Sequence, residues 1–69
     1  MVKINIYING DKKLVNINCS LNEILENFKI DKRKIAVEIN QKVISKSLYN
    51  CTVVTADDRI EIVQLIGGG

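Results

Sequence analysis

The sequence predicts an α+β roll: a mixed sheet of four to five strands with one main helix packed on one face. Three observations carry this. Both ends of the chain alternate apolar and polar residues with the period of two that marks half-buried strands. Between them lies a single short segment with helical spacing and a helix-start signal. The candidate elements run β-β-α-β-β-(short)-β, and both terminal strands carry the branched apolar residues expected of strands at the centre of a sheet.

The first strand reads Val2, Ile4, Ile6 and Ile8 on one face and Lys3, Asn5 and Tyr7 on the other. Asn9-Gly10 is a hairpin signal, since both residues tolerate the positive φ of a type I′ turn. The return strand runs from Leu14 to Cys19, with Val15, Ile17 and Cys19 as its inner set. A two-residue loop pairs Ile4 with Val15 and Val2 with Ile17. A four-residue loop pairs Ile6 with Val15, Ile4 with Ile17 and Val2 with Cys19. Both keep apolar residues together, whereas an odd loop without a bulge would oppose them to Asn16 and Asn18.

Ser20-Leu21-Asn22-Glu23 fits a capping box, and Leu21, Ile24, Leu25 and Phe28 follow as one apolar stripe. So short a helix is marginal alone and must lie on the sheet. Asp31-Lys32-Arg33-Lys34 is a connection, and its charges read as a solvated loop rather than a phosphate-binding patch. Ile35, Val37 and Ile39 form a third strand, Asn40-Gln41 a turn, and Val43-Ile44 a short edge strand. Ser45 to Asn50 is polar, with Leu48 and Tyr49 as anchors around a single helical turn. Thr52 to Val54 is a short extended piece, and Ala56-Asp57-Asp58 a turn whose aspartates bond their own backbone. Arg59 to Ile66 is the last strand, with Ile60 and Ile62 inward.

A chain of 69 residues makes one small domain, read as residues 1–65 followed by a flexible glycine tail at 66–69. Hydrophobic content of 46% with 26% charged residues excludes a disordered chain. Apolar runs are far too short to span a bilayer, and Met1 leads directly into strand-like sequence, so a cytoplasmic protein is expected, monomeric when free. A net charge of +2 spread along the chain does not point to nucleic acid. Cys19 and Cys51 lack CxxC spacing and no histidine joins them, so they are read as small buried hydrophobes rather than metal ligands. Without histidine no Ser–His or Cys–His nucleophile pair can be built, and the isolated Gly10 makes no phosphate-binding loop. The chain is therefore read as no enzyme, with no catalytic residue, metal or cofactor of its own.

Chemistry is instead expected to be done to the chain. Three of its four glycines follow Ile66 at the C-terminus. Gly67 and Gly68 form a thin leash able to thread a narrow channel, and the carboxylate of Gly69 is the candidate reactive group. Tyr7, Leu14, Val63 and Leu65 are apolar at positions facing away from the helix and form the candidate docking surface for a partner.

Ala36-Val37-Glu38-Ile39-Asn40-Gln41, Lys46, Tyr49, Asp58-Arg59-Ile60-Glu61-Ile62-Val63 and the terminal Gly68-Gly69 resemble the sulfur-carrier protein of thiamin biosynthesis, the ThiS family. The resemblance covers the whole chain. It departs at Asp57, where the family usually has glycine, and at Ser45, where proline is common. It implies a β-grasp (ubiquitin-like) fold and a definite cycle. An E1-like, ThiF-like adenylyltransferase uses ATP and magnesium to activate the Gly69 carboxylate as an acyl-adenylate. A sulfur donor such as a cysteine desulfurase supplies a persulfide, AMP leaves, and a thiocarboxylate results. A ThiG-like thiazole synthase takes the sulfur. The alternatives are a MoaD-like small subunit of molybdopterin synthase, with the same fold and ending, and a β-grasp interaction module with an incidental tail.

Overall fold

A computed structural model describes residues 2–65. Five strands form one sheet: β1 (Lys3–Ile8), β2 (Asp11–Asn16), β3 (Ile35–Ile39), β4 (Lys42–Ile44) and β5 (Arg59–Gln64). Their order is β2-β1-β5-β3-β4, so the last strand enters the middle. β5 lies parallel to β1 and antiparallel to β3, and the two hairpins β1–β2 and β3–β4 flank it. A single helix, α1 (Leu21–Asn27), covers one face. The core consists of Ile6, Ile8, Val15, Val37, Ile39 and Ile60 from the sheet against Leu21, Ile24 and Leu25 from the helix, closed by Ile35, Cys19, Tyr49 and Val54.

The first hairpin takes the two-residue loop. Asn9 (φ 50) and Gly10 (φ 88) occupy the left-handed conformations of a type I′ turn, and Ile4 pairs with Val15. Asn40 (φ 52) and Gln41 (φ 71) repeat this turn between β3 and β4, and Asp57 (φ 69) also takes the left-handed conformation.

The helix start is as the sequence predicts. Glu23 N–H donates to Ser20 Oγ at 3.1 Å, and Ser20 N–H donates to Glu23 Oε1 at 3.1 Å. The next amides are met from a distant part of the chain: Leu21 N–H donates to the Thr52 carbonyl at 2.7 Å and Asn22 N–H to that of Tyr49 at 3.0 Å. These bonds, with Val54 N–H to the Cys19 carbonyl at 3.0 Å, give the short 52–54 stretch its place beside the helix N-terminus. The helix closes in a Schellman motif: Lys29 takes φ 59, its N–H reaches the Glu26 carbonyl at 3.0 Å, and Ile30 N–H reaches that of Leu25 at 2.9 Å.

Several expected core members lie outside the core. β2 ends at Asn16 rather than Cys19, because Asn18 (φ 64) leaves the extended region. Ile17 N–H still bonds the Val2 carbonyl at 3.0 Å, yet both side chains are exposed, since a helix of seven residues spans only about 10 Å and stops short of that end. Phe28 falls on the helix C-cap and is partly exposed, with the Lys13 ammonium 5.7 Å from its ring centre. Leu48 points outward from a 3₁₀ turn at Lys46–Leu48, while Tyr49 alone is the anchor, and burial pushes its hydroxyl pKa up. β5 ends at Gln64, and Ile66 lies outside the described residues.

The cysteines divide. Cys19 is a buried core residue whose thiol pKa is raised by burial and, secondarily, by the Glu23 carboxylate. Cys51, expected to be buried, is exposed, because the turn after Tyr49 runs over the surface; both thiols are free. A water-soluble aromatic disulfide reagent is therefore expected to titrate a single thiol in the native protein, with the second appearing only in denaturant. Two fast-reacting native thiols would contradict the buried position of Cys19.

Candidate functional site

The predicted reactive carboxylate of Gly69 and its leash, Ile66, Gly67 and Gly68, lie outside the described residues. The structure does describe how the strand that leads to them is held. Two asparagines, each in a left-handed turn position, clamp β5 from its two sides. On the β1 side, Ile62 N–H donates to Asn9 Oδ1 at 2.7 Å and Asn9 Nδ2 donates to the Ile62 carbonyl at 3.2 Å. The side-chain amide thus continues the parallel ladder beyond the point where β1 has turned away. On the β3 side, Arg59 N–H donates to Asn40 Oδ1 at 2.9 Å, and Asn40 Nδ2 donates to Asp58 Oδ1 at 3.0 Å. The Asp58 carboxylate also takes the Thr55 N–H at 2.8 Å and hydroxyl at 3.1 Å, so it serves the turn as predicted. At the far end, Leu65 N–H donates to the Lys34 carbonyl at 2.8 Å.

The face away from the helix carries the predicted docking residues, but not as one patch. Tyr7 sits opposite Arg59, whose guanidinium lies 5.0 Å from the ring centre, a cation–π contact that half-buries the ring. Val63 is four residues further along β5, roughly 13 Å away at strand rise. It pairs with Ala36 and is 55% exposed. Leu65, 45% exposed, follows it at the exit. Leu14 pairs with Asn5 on the outer hairpin, two residues behind Tyr7, and so lies roughly 20 Å from Val63 along the sheet. The structure brings Val63 and Leu65 together, sets Tyr7 one step behind, and leaves Leu14 at the opposite end.

Val43 is the residue that sequence reasoning missed. It is 74% exposed and pairs with Glu38, diagonal to Ala36 on the same face. Alternation with the half-buried Ile44 was the signal that could have found it. Glu38 stands directly opposite Glu61, a like-charge cross-strand pair that weakens the sheet locally. From exit to hairpin the face therefore reads apolar (Val63, Ala36), then acidic with an apolar edge (Glu61, Glu38, Val43), then aromatic and basic (Tyr7, Arg59).

The connection before β3 is a 3₁₀ turn at Lys32–Lys34, capped by Asp31. Arg33 donates from Nε and Nη2 to the two Asp31 carboxylate oxygens at 3.1 Å, and its backbone N–H adds a 3.0 Å bond. These bonds hold the Asp31 carboxyl down to about 2 and raise the Arg33 guanidinium. With its folded pKa depressed, the Asp31 contact is intact above the ordinary carboxylate range and is lost as pH falls through about 2.

A mixed sheet in the order β2-β1-β5-β3-β4 gripping one helix is the β-grasp architecture, the class of ubiquitin-like carriers. The chain belongs to the ThiS family, whose model matches residues 6–69. The crystal structure of thiamine biosynthesis protein ThiS from Geobacter metallireducens superposes with a TM-score of 0.82 at 26% identity, covering 96% of this chain and 100% of that one. A protein named thiazole synthase from Paramagnetospirillum magneticum is 37% identical over 62 residues, which is 90% of this chain and 19% of the relative. The chain thus spans about one fifth of that protein's length. The protein ycf40 of Porphyra purpurea is 32% identical over 66 residues, 96% of this chain and 93% of its own. Family membership and the thiamine-biosynthesis structure support the role of a small sulfur carrier.

The Asn9 clamp is directly testable. Asn9→Gly keeps a residue suited to the positive φ but removes both bonds to Ile62. It is expected to cost about 1–2 kcal/mol, read as a lower urea midpoint at unchanged m-value. A midpoint within error of the wild type would show that the ladder beyond the hairpin contributes nothing.

Proposed function

We propose that this protein carries sulfur as a C-terminal thiocarboxylate on Gly69 for thiazole formation in thiamin biosynthesis. The observation that carries the reading is a family match that runs through the terminal glycines, to residue 69. A carboxylate is a poor electrophile. An E1-like adenylyltransferase joins Gly69 to the α-phosphate of ATP with magnesium, releasing pyrophosphate, so that AMP becomes the leaving group. Persulfide sulfur from a donor such as a cysteine desulfurase attacks the acyl carbon and AMP departs. Reductive cleavage of the resulting acyl disulfide by a thiol frees the thiocarboxylate, and thiazole synthase then accepts the sulfur. Glycines suit both visits, since they add no side chain that would block a narrow channel or shield the acyl carbon.

The body serves as a handle. β5, clamped at Asn9 and Asn40, supports a reading in which the tail is launched from a rigid strand. Relatives named thiazole synthase contain a segment like this chain within one polypeptide, which supports thiazole synthase as the acceptor. Val63 and Leu65, next to the exit, supply the apolar centre of the docking face, with Tyr7 behind them and Val43 beside.

Incubation with ATP, a desulfurase, a thiol reductant and the cognate adenylyltransferase is expected to replace one oxygen by sulfur at Gly69, read by intact mass. Appending one residue after Gly69 is expected to abolish the change; equal conversion of the extended chain would refute the terminal acid as the reactive group. Val63→Asp is expected to weaken binding to the adenylyltransferase about tenfold or more, a loss of roughly 1.4 kcal/mol. Unchanged affinity would take Val63 out of the docking face.

A further inference from the structure

The basic run Lys32-Arg33-Lys34 reads as a solvated loop in the sequence, yet the fold delivers it to the point where β5 ends. Gln64 pairs with Ile35, and Leu65 N–H bonds the Lys34 carbonyl at 2.8 Å. On the other flank, Lys46 follows β4 and its ammonium donates to the Arg33 carbonyl at 3.2 Å, so two cationic segments far apart in sequence meet beside Leu65. The charges are not equally available. Lys32 is paired with Glu26 at 3.4 Å and Arg33 with Asp31 at 3.1 Å. Lys34 and Lys46 have no carboxylate within ion-pair distance among the described residues. Both are exposed: Lys34 stands beside Leu65, which is exposed as is Val63, and Lys46 reaches the same connection through the Arg33 carbonyl.

Resting on the carrier reading above, we infer that Lys34 and Lys46 form a basic collar that docks on an acidic rim around the channel of the enzyme that activates the tail. An apolar centre with a charged, solvent-accessible rim is the usual anatomy of a transient protein interface. Charges at such a rim act mainly on encounter rate and register, and their effect is screened by salt. Nucleic acid is a poorer fit: two lysines neutralise few phosphates, and the neighbouring surface is aliphatic. The collar also sets orientation. With basic groups at the exit and the acidic pair Glu61 and Glu38 further back, a partner of complementary charge order can approach in one sense along the strand.

The test compares Lys34→Glu/Lys46→Glu with the wild type as substrates of the adenylyltransferase, both checked for an unchanged thermal transition. At low ionic strength the double variant is expected to show a KM raised about tenfold at unchanged kcat, with the gap closing to within about threefold in ~0.5 M salt. Lys34→Arg/Lys46→Arg should behave as the wild type. Lys3→Glu/Lys13→Glu, the same change of net charge away from the exit, with Lys13 paired to the core residue Ile6 on the helix side, should also leave KM near the wild-type value. Equal KM for wild type and the exit variant, or an equal rise for the remote variant, overturns the collar while leaving the carrier reading intact. Failure of wild type to be thiocarboxylated at all sinks the carrier reading and the collar with it. Calorimetry with magnesium–ATP and with inorganic phosphate adds a further arm: binding to the isolated wild type that is lost in the exit variant would assign the lysines to phosphate and overturn the acidic rim.

Discussion

The insertion of the last strand between two finished hairpins is the constraint on which this fold depends. β1–β2 and β3–β4 can each close locally, through type I′ turns at Asn9-Gly10 and Asn40-Gln41. Neither alone makes a sheet with a core. β5 joins them, placing Ile60 between Ile8 on one side and Ile39 on the other. The turn residues do more than reverse the chain, because their side-chain amides bond β5 where the backbone ladder has run out. A parallel pairing only two residues long would be a weak edge; the Asn9 amide extends it to Ile62.

The helix depends on the same closure from the other face. It has only seven residues, and its first free amides are satisfied by carbonyls from Tyr49 and Thr52, in the long connection that leads into β5. A helix this short gains little from propensity and is held by burial of Leu21, Ile24 and Leu25 and by those borrowed acceptors. Thus the chain's least regular stretch, residues 45–58, has two structural duties: it finishes the helix start and it aims β5 into the sheet.

This arrangement also suits the carrier role that the family membership supports. The strand at the centre of the sheet, bonded on both sides, is the one that precedes the glycines in the sequence. Around its end the fold gathers aliphatic and basic groups from three separate segments: Val63 and Leu65, Lys34, and Lys46. The aromatic Tyr7, engaged with Arg59, lies one step back along the same face, and Leu14 lies beyond it on the outer hairpin.

Local rules determined much of this protein from its sequence: the alternating strands, the capping box at Ser20 and Glu23, the turn residues, and the glycine ending with its resemblance to a carrier family. Each depends on residues close together in the chain, where the period of two and the hydrogen-bonding reach of a side chain suffice. The tertiary structure decided what depends on distant partners. It chose the two-residue hairpin over the four-residue one, exposed Ile17, Leu48 and Cys51, and put Phe28 on a cap. It also separated Leu14 from Val63 and brought Lys34 and Lys46 to one place. Strand parity tells which face a residue takes but not how far along the sheet it lies, and that offset is fixed only when β5 docks against both hairpins.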